Sequence, residues 1–356
     1  MTDLNYDRNF FKGKNIYVGI DVHKSTWTVT AICEAEIVYD ATITAEFGRL
    51  DMILNRFSQG KVHTVYEAGC FGYQLHDCLV AKGYDSTVTP PSLVPRIGGN
   101  VKTDRRDSKK LAGMLVSGFL KRVYVLTPEE RANRELIRTR NQIERHRKRL
   151  QSQIKAKLLL YDVEKPKWLK DKKWTQKYLD WLEGITWKYE SLKISMTYLL
   201  DLFRYLDQQY RELTHKIKEL SQTEKYHDRV RILTSVPGIG VFTAMTILVE
   251  LQDMERFKNA DEIASFLGLT PSQYSSSDRV RLGHITRCGN VHVRKALIES
   301  SWTLIRYDIA MKNKYDRLRQ QVGNGKKAIV GIARTLAIRI RRLLLNRQEY
   351  ALGVIG

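Results

Sequence analysis

The sequence has few of the features that mark membrane, exported or disulfide-bonded proteins. No run reaches the roughly 18 apolar positions that a membrane-spanning helix needs, and the densest run, residues 243–251, contains Glu250. Residues 1–14 are polar and mixed in charge, so nothing marks the chain for export. The 4 cysteines form no C-x-x-C pair, which argues against a zinc ribbon or a disulfide framework. We therefore expect a cytoplasmic protein that does not bind membranes.

Glycine-rich phosphate-binding loops are also missing. No G-x-x-x-x-G-K-S/T sequence occurs, which argues against a nucleotide-driven motor. A strand that ends in Gly19 to Asp21 also opens the actin and sugar-kinase ATPase fold, but residues 22–24 supply no glycine for a phosphate turn. The ATPase fold is therefore the weaker interpretation of this segment.

Negative charge is scarce relative to positive charge. The chain has 60 Lys and Arg against 39 Asp and Glu, a formal net charge of +21. Such an excess attracts polyanions and makes binding depend on salt, so nucleic acid is the natural partner. A ribosome-associated or merely soluble basic protein is the alternative that composition leaves open. The length of 356 residues predicts two or three folded units.

The order of apolar patterns predicts an α/β region followed by an all-α region. Alternating β-branched residues predict strands at 15–21, 26–32 and 37–43. Helical and strand patterns then alternate, with further strands at 62–67 and 85–89. Three consecutive strands followed by alternating helix and strand predict a mixed sheet covered by helices. We divide the chain into domains at 1–160, 161–222 and 223–356.

A strongly basic helix is predicted at residues 128–161. A thin apolar seam runs along it, and the remaining face is rich in arginine and lysine, including Arg138, Arg145, Lys148 and Arg149. Because a face of one sign repels itself, we interpret it as a nucleic-acid contact rather than a solvated surface. Trp168, in the basic segment that follows, is a candidate for stacking on unpaired bases, whereas Trp174 has helical spacing and fits a core position better.

A heptad pattern follows the basic segment. Apolar residues are separated alternately by 4 and 3 positions from residue 192 to residue 220, which predicts a coiled coil. The partner is either the basic helix of the same chain or the same helix of a second protomer. The length of the stripe favours a homo-oligomer. Its members are Leu192, Met196, Leu199, Phe203, Leu206, Tyr210, Leu213, Ile217 and Leu220.

The last third contains a candidate phosphate-binding turn between two apolar helices. The segment Pro237 to Gly240 resembles a helix-hairpin-helix, in which Gly238 and Gly240 let backbone amides approach a phosphate. An ordinary helical turn is the alternative. Further helices are predicted at 260–267, 293–307 and 327–346, and residues 270–290 are predicted to be irregular.

Four acidic residues occupy positions suited to metal-assisted phosphoryl chemistry. Asp21 and Glu67 end two predicted strands, and Asp104 and Asp107 are three positions apart at the start of a helix. Mg²⁺ takes one or two carboxylates and completes its shell with water or phosphate oxygens. Singly, each acid has a simpler explanation, such as a turn or a helix cap. As a set they predict a Mg²⁺ site.

Serines and arginines are concentrated in residues 269–283. A serine hydroxyl attacks a phosphodiester when a base takes its proton and cations offset the developing charge. Ser275, Ser276 and Ser277 precede Arg279 and Arg281. Taken alone, this pattern is most often only a polar loop.

These motifs together resemble the DEDD transposases of insertion-sequence family one-hundred-and-ten, the bridge-RNA-guided recombinases. The resemblance rests on Tyr17 to Lys24, Glu67 with its following Ala-Gly, Lys102 to Asp107, Pro237 to Gly240, and Gly268 to Ser276. The matching segments occur in order over nearly the whole chain.

The resemblance implies a RuvC-like (RNase H-like) domain, a coiled coil and a helical C-terminal transposase domain. By this resemblance Asp21, Glu67, Asp104 and Asp107 hold Mg²⁺. Ser276, two positions after a tyrosine, is implied to form a covalent phosphoserine bond with DNA. Many family members have glycine after this serine, whereas Ser277 and an aspartate follow here.

The expected function is RNA-guided, site-specific recombination by an insertion-sequence transposase. The resemblance implies a structured non-coding bridge RNA that pairs with double-stranded donor and target DNA. It also implies a homodimer or homotetramer that combines acids and serine from two protomers, in a bacterial cytoplasm near the nucleoid. We add that Arg279 or Arg281 offsets charge on the phosphorus. The alternatives are a RuvC-like Holliday-junction nuclease without a covalent intermediate, and a non-catalytic RNA-binding scaffold.

Overall fold

The computed structural model describes residues 2–3, 7–69, 71–94, 104–169, 174–276, 279–286 and 288–353. The chain divides into two compact units, Met1–Leu126 and Thr127–Gly356. The predicted division at residue 160 placed the long basic helix in the first domain, whereas in the structure it lies in the second unit. Its buried residues Ile137 and Ile154 pack there with other helices. Within the described ranges, no helix is long and apolar enough to cross a bilayer.

The first unit contains a mixed sheet of six strands, in the order β1-β4-β3-β2-β5-β6. β2, β3 and β4 pair antiparallel, and β2, β5 and β6 pair parallel. The strands are β1 (Thr2–Asp3), β2 (Asn15–Val22), β3 (Thr26–Cys33), β4 (Glu36–Thr44), β5 (Lys61–Glu67) and β6 (Asp85–Thr89). The helices are α1 (Phe47–Leu54), α2 (Gln74–Ala81) and α3 (Asp104–Val116). The mixed α/β character predicted for this region is confirmed.

Alternate residues of the central strand β2 belong to opposite faces of the sheet. Ile16, Val18 and Ile20 are fully buried and share a core with Leu50 of α1 and Leu79 of α2. The other face of the sheet is covered by α3, which contributes to a smaller core around Leu111. The sheet is therefore covered by helices on both faces.

The second unit is mainly helical. Its helices are α4 (Pro128–Leu160), α5 (Gln176–Glu183), α6 (Glu190–Ser221), α7 (His227–Thr234), α8 (Val241–Leu251), α9 (Ala260–Phe266), α10 (Val291–Tyr307), α11 (Ile309–Val322) and α12 (Gly325–Asn346). α8 is the central element, because all its residues from Ala244 to Leu251 are buried. In the C-terminal segment, the Tyr350 hydroxyl donates to the buried carboxylate of Asp308 at 2.5 Å.

Two elements of this unit differ from the sequence-based prediction. Residues 270–290 were predicted to be irregular, but they contain an antiparallel hairpin of β7 (Pro271–Ser276) and β8 (Arg279–Ile285). β7 is mostly polar and carries no strand signal, whereas the alternation of Val280 and Leu282 with arginines in β8 is a signal that the prediction overlooked. α11 was not predicted either, because only Ala310, Met311 and Tyr315 of its residues are buried.

α6 packs antiparallel along α4 of the same chain. Near one end of the pair Ile137 and Ile217 lie in one core, and near the other Ile154 and Met196 lie in another. Between these cores the contact is polar, because the guanidinium groups of Arg140 and Arg147 lie 4.2 and 4.0 Å from the ring centre of Tyr210. Of the two partners that the heptad pattern allowed, the structure shows the helix of the same chain.

Candidate active site

Asp21 and Glu67 lie at the carboxyl ends of two neighbouring parallel strands. β2 and β5 are paired in a register that aligns Ile20 with Tyr66, so the next residues along the two strands are Asp21 and Glu67. Parallel strands end at the same edge of a sheet, and aligned residues belong to the same face. The register therefore puts Asp21 and Glu67 at neighbouring positions on one face of this sheet edge.

α3 crosses the same face of the sheet at Gly19, two residues before Asp21. A Cβ atom added at Gly19 would lie 2.1 Å from the carbonyl oxygen of Ser108 and 2.5 Å from the amide nitrogen of Ala112. The buried hydroxyls of Ser108 and Thr30 are 2.8 Å apart and join α3 to β3. The absence of a side chain at Gly19 is thus what lets the helix lie directly on the strand.

The acids of α3 precede this contact by one helical turn. Asp104 is four residues before Ser108, and Asp107 is four residues before the buried Leu111. Positions four apart lie on one face of a helix, so both acids occupy the face that meets the sheet. Asp107 is partly exposed, and the side chain of Asp104 lies outside the described residues.

Replacing Gly19 by alanine is expected to separate α3 from the sheet. The new methyl group would overlap backbone atoms, so we expect a loss of about 2 to 3 kcal/mol in the free energy of unfolding, together with loss of DNA strand cleavage. Denaturant unfolding and a cleavage assay measure the two effects. Gly48→Ala, in α1, is the matched control, because no atom lies within 4 Å of its added Cβ. An equal response of the two variants would contradict this account.

The oxygen ligands at this edge suit Mg²⁺. Hard divalent cations prefer carboxylate oxygen, and Mg²⁺ keeps several waters or phosphate oxygens. Among the side chains that the structure describes, which include those of Asp21, Glu67 and Asp107, no three metal-ligating groups converge, so these carboxylates supply at most two ligands at any one point. The His23 imidazole lies 3.2 Å from the Asp21 carboxylate. A site of this kind fits an ion that the substrate phosphate helps to ligate.

Ser276 is the last residue of β7, at the end of the hairpin. It is aligned with Arg279 of β8, and Tyr274 is aligned with Arg281. Arg279 and Arg281 therefore lie on β8, the strand that is hydrogen-bonded to the strand ending in Ser276. Ser277 and the side chains of Ser275, Ser276 and the two arginines lie outside the described residues.

The two glycines of the turn between α7 and α8 have different surroundings. Gly238 has a φ of +90°, and an added Cβ would lie 2.6 Å from the carbonyl oxygen of Ser300 in α10. Gly240 precedes α8 and has no atom within 4 Å of an added Cβ. The structure thus gives Gly238 a packing role against α10, and the open side at the start of α8 is at Gly240.

Comparisons with known proteins match two segments of the chain to models of one transposase family. Residues 18–162 match a DEDD-type model of the IS110 group described as Transposase. Residues 230–316 match the model described as Transposase IS116/IS110/IS902 family. The chain carries the two transposase domains of the IS110 family. Asp21, Glu67, Asp104 and Asp107 fall in the first matched segment and Ser276 in the second.

Relatives of the transposase extend along most of its length. The y4qE protein of Sinorhizobium fredii is 28% identical over 339 residues, 93% of this chain and 82% of its own length. The transposase for insertion sequence element IS1533 of Leptospira borgpetersenii is 27% identical over 260 residues, 71% and 74% of the two chains. The transposase for insertion sequence element IS1111A of Coxiella burnetii is 23% identical over 353 residues, 94% and 91% of the two chains. The family assignment makes the protein an enzyme that cleaves and transfers DNA strands.

The basic residues predicted to bind RNA have unequal surroundings in the transposase. Arg145 and Arg149 are exposed on α4, and Lys148 is exposed but pairs with Glu144 at 2.8 Å. Trp168 has 60% of its surface exposed. Arg138 instead forms an ion pair with the buried carboxylate of Glu250 at 2.7 Å.

Several residues that shape the site escaped the sequence analysis. Gly19 had a visible signal, because an isolated glycine inside a strand indicates a close backbone approach. Ser108 and Thr30 had none, since small hydroxyl residues occur everywhere and their contact joins distant parts of the chain. Glu250 was noted only as a charge within an apolar run, yet it is the acid that Arg138 contacts.

Proposed function

We infer that the transposase is an RNA-guided, Mg²⁺-dependent, site-specific DNA recombinase of an insertion sequence, acting through a covalent phosphoserine at Ser276. The observation that carries this proposal is the position of Asp21 and Glu67, each one residue beyond the aligned pair Ile20 and Tyr66 of adjacent parallel strands, on the face crossed by the helix that bears Asp104 and Asp107. The resemblance of the serine segment and the family assignment support the rest.

Each residue has a distinct role in the proposed reaction. When bound, Mg²⁺ supplies positive charge that holds and polarises the scissile phosphate. Asp21, Glu67, Asp104 and Asp107 would hold the ion, and the oxygen of Ser276 attacks the phosphorus of the scissile phosphate. A bond from Oγ to phosphorus forms as one phosphorus–oxygen bond of the DNA backbone breaks. The serine proton passes to solvent or a base, and the departing DNA oxygen is protonated. Arg279 and Arg281 offset the charge on phosphorus.

A structured non-coding RNA would supply sequence specificity by pairing with donor and target DNA. The exposed basic residues of the second half of α4, Arg145, Lys148 and Arg149, suit a phosphate backbone. The exposed indole of Trp168 suits an unpaired base. Arg138 would take part indirectly, since its guanidinium is paired with Glu250. Double-stranded DNA would contact the open start of α8 at Gly240, with Gly238 holding the turn against α10.

A homodimer or homotetramer is proposed on the family resemblance. The heptad stripe of α6 packs on α4 of the same chain, so a second protomer has to use other surfaces. The apolar residues Ile194, Tyr198, Leu202 and Tyr205 of α6 are exposed and lie on one side of the helix, which makes this side a natural contact.

Sequencing the RNA that co-purifies with the transposase tests the proposed function. A discrete RNA with loops complementary to both DNA partners is the expected result. Cleavage that proceeds without that RNA and without a protein–DNA adduct would instead favour a junction-resolving nuclease. Absence of cleavage under all conditions would favour an RNA-binding scaffold.

Removing Arg145 and Arg149 together is expected to weaken RNA binding about tenfold at moderate salt and to lower the salt dependence by about two counterions. Titration of labelled co-purified RNA at several NaCl concentrations measures both effects. Arg211→Ala with Lys216→Ala removes the same charge from α6, where each cation pairs with a carboxylate, and should change affinity much less. Equal losses in the two double variants would mean that net charge alone governs binding.

A further inference from the structure

Glu250 is a buried carboxylate that joins three elements of the second unit. It lies near the end of α8 with 3% of its surface exposed. Its two oxygens accept from Nε and Nη2 of Arg138 in α4, at 2.7 and 2.8 Å. One of them also accepts from the side-chain amide of Asn290 at 2.7 Å. All three residues belong to different parts of the fold.

Asn290 connects Glu250 to the start of α10. Its side-chain oxygen accepts from the backbone amides of His292 and Val293 at 3.0 and 3.1 Å. Backbone amides only donate and a carboxylate only accepts, so the orientation of the Asn290 amide is fixed on both sides. A single side chain thus caps α10 and donates to Glu250.

The same residue closes the base of the serine-bearing hairpin. The backbone nitrogen of Asn290 donates to the carbonyl of Phe266 at 3.0 Å, and that of Thr286 donates to the carbonyl of Thr270 at 3.0 Å. Arg294 donates to the carbonyl of Leu267 at 2.8 Å. These bonds hold the segment before β7 against the segment after β8.

Close backbone packing reinforces this base. Gly289 has a φ of +123°, and an added Cβ would lie 2.2 Å from the carbonyl oxygen of Phe266. Glycine is therefore required where the chain leaves the hairpin. The hairpin is held at its base by short contacts, and Glu250 fixes the position of that base relative to α4 and α8.

The contact of Glu250 with Arg138 and Asn290 is poorly explained by its contribution to folding stability alone. Burial would raise the pKa of Glu250, but the hydrogen bonds from Arg138 and Asn290 outweigh it and hold the pKa below its ordinary value. Buried ion pairs are frequently no more stabilising than apolar residues of similar volume, whereas their directional bonds fix one geometry. The directional bonds among Glu250, Arg138 and Asn290 are therefore suited to fixing the position of the hairpin of β7 and β8.

We propose that Glu250, through Asn290, is a positioning residue for the hairpin that carries Ser276. The proposal rests on the proposed function, because positioning matters for chemistry only if the hairpin delivers the nucleophile. An attacking oxygen displaced by about 1 Å loses about a hundredfold in rate. Arg138 then serves the reaction by orienting Glu250.

The test exchanges the amide and the carboxylate between positions 250 and 290. Glu250→Gln leaves an amide donor opposite the donors of Arg138 and Asn290. Asn290→Asp keeps the helix cap but sets two carboxylates against each other. The double variant restores one amide and one carboxylate with the same net charge. Both single variants should exchange the amide hydrogens of Thr286 and Asn290 at least about tenfold faster than wild type. The double variant should recover part of that protection, because the amide introduced at position 250 donates to the carboxylate introduced at position 290 while its oxygen still accepts from one nitrogen of Arg138.

Tyr350→Phe provides a control for general destabilisation. It removes a hydroxyl bonded to the buried Asp308 without touching the hairpin, so it should lower the melting temperature but leave the exchange of Thr286 and Asn290 unchanged. Failure of the double variant to recover protection, or an equal response in Tyr350→Phe, would overturn the positioning role.

Adduct formation separates this proposal from the proposed function. The rate of covalent protein–DNA adduct formation should fall about tenfold or more in Glu250→Gln and recover in the double variant. If wild-type protein forms no adduct, the proposed function fails, while hydrogen exchange still decides whether Glu250 positions the hairpin. If wild type forms the adduct and Glu250→Gln matches its rate, the positioning role fails alone.

Discussion

Asp21→Asn is expected to abolish DNA strand cleavage while the protein stays folded and retains RNA binding. The change removes one negative charge from the strand end where Asp21 and Glu67 are aligned, and an amide is a poorer ligand for Mg²⁺. Metal ions contribute several kcal/mol to transition-state stabilisation, and each 1.4 kcal/mol is a factor of ten in rate. We therefore expect a loss of about a thousandfold or more, measured as the initial cleavage rate over a range of Mg²⁺ concentrations.

Asp85→Asn is the matched control for this prediction. Asp85 begins β6 and bonds to His63 at 2.8 Å, so it lies at the opposite end of the parallel strands from Asp21. The change removes the same charge from the same sheet and should lower stability slightly without affecting cleavage. Cleavage by Asp21→Asn at the wild-type rate would show that this sheet edge holds no catalytic metal.

Ser276→Ala is expected to eliminate the covalent protein–DNA adduct completely. Alanine has no side-chain oxygen that can bond to phosphorus. The amount of adduct should therefore fall below the detection limit of the assay, a decrease of about a thousandfold or more. Ser275→Ala and Ser277→Ala should retain the adduct, because the resemblance selects the serine two positions after Tyr274. A denaturing gel of protein with labelled DNA, Mg²⁺ and co-purified RNA measures the adduct.

A mixture of two inactive variants extends this prediction. If acids and serine come from different protomers, as the family resemblance implies, Asp21→Asn mixed with Ser276→Ala should recover part of the cleavage activity. Each variant supplies what the other lacks. An adduct formed by Ser276→Ala alone would show that another residue is the nucleophile.

The sheet and its acidic edge were predictable because they follow from local patterns. β-branched residues are frequent in β2 to β6, and three hairpin strands followed by helix and strand allow few topologies. Asp21 and Glu67 end their strands, so a parallel pair brings them together. The contact of α3 with Gly19 needed the structure, because it depends on two backbone segments meeting across the sheet.

Charge patterns were less informative in the second unit. Arg138, Arg140 and Arg147 belong to the face that the sequence assigned to nucleic acid. In the structure Arg138 pairs with Glu250, Arg140 is buried beside Tyr210, and Arg147 pairs with Asp207. A count of basic residues cannot reveal which of them meet carboxylates or aromatic rings from distant helices. The hairpin of β7 and β8 was missed because β7 is almost wholly polar, and the short alternation of Val280 and Leu282 with arginines in β8 was not recognised.

Identification of the residue bonded to DNA distinguishes a phosphoserine intermediate from hydrolysis. Wild-type transposase would be incubated with Mg²⁺, co-purified RNA and its DNA, then denatured, digested and analysed by mass spectrometry. The expected result is a nucleotide attached to Ser276 in the peptide that contains Tyr274. Attachment to any other residue, or cleavage of DNA with no nucleotide attached to the protein, would contradict it.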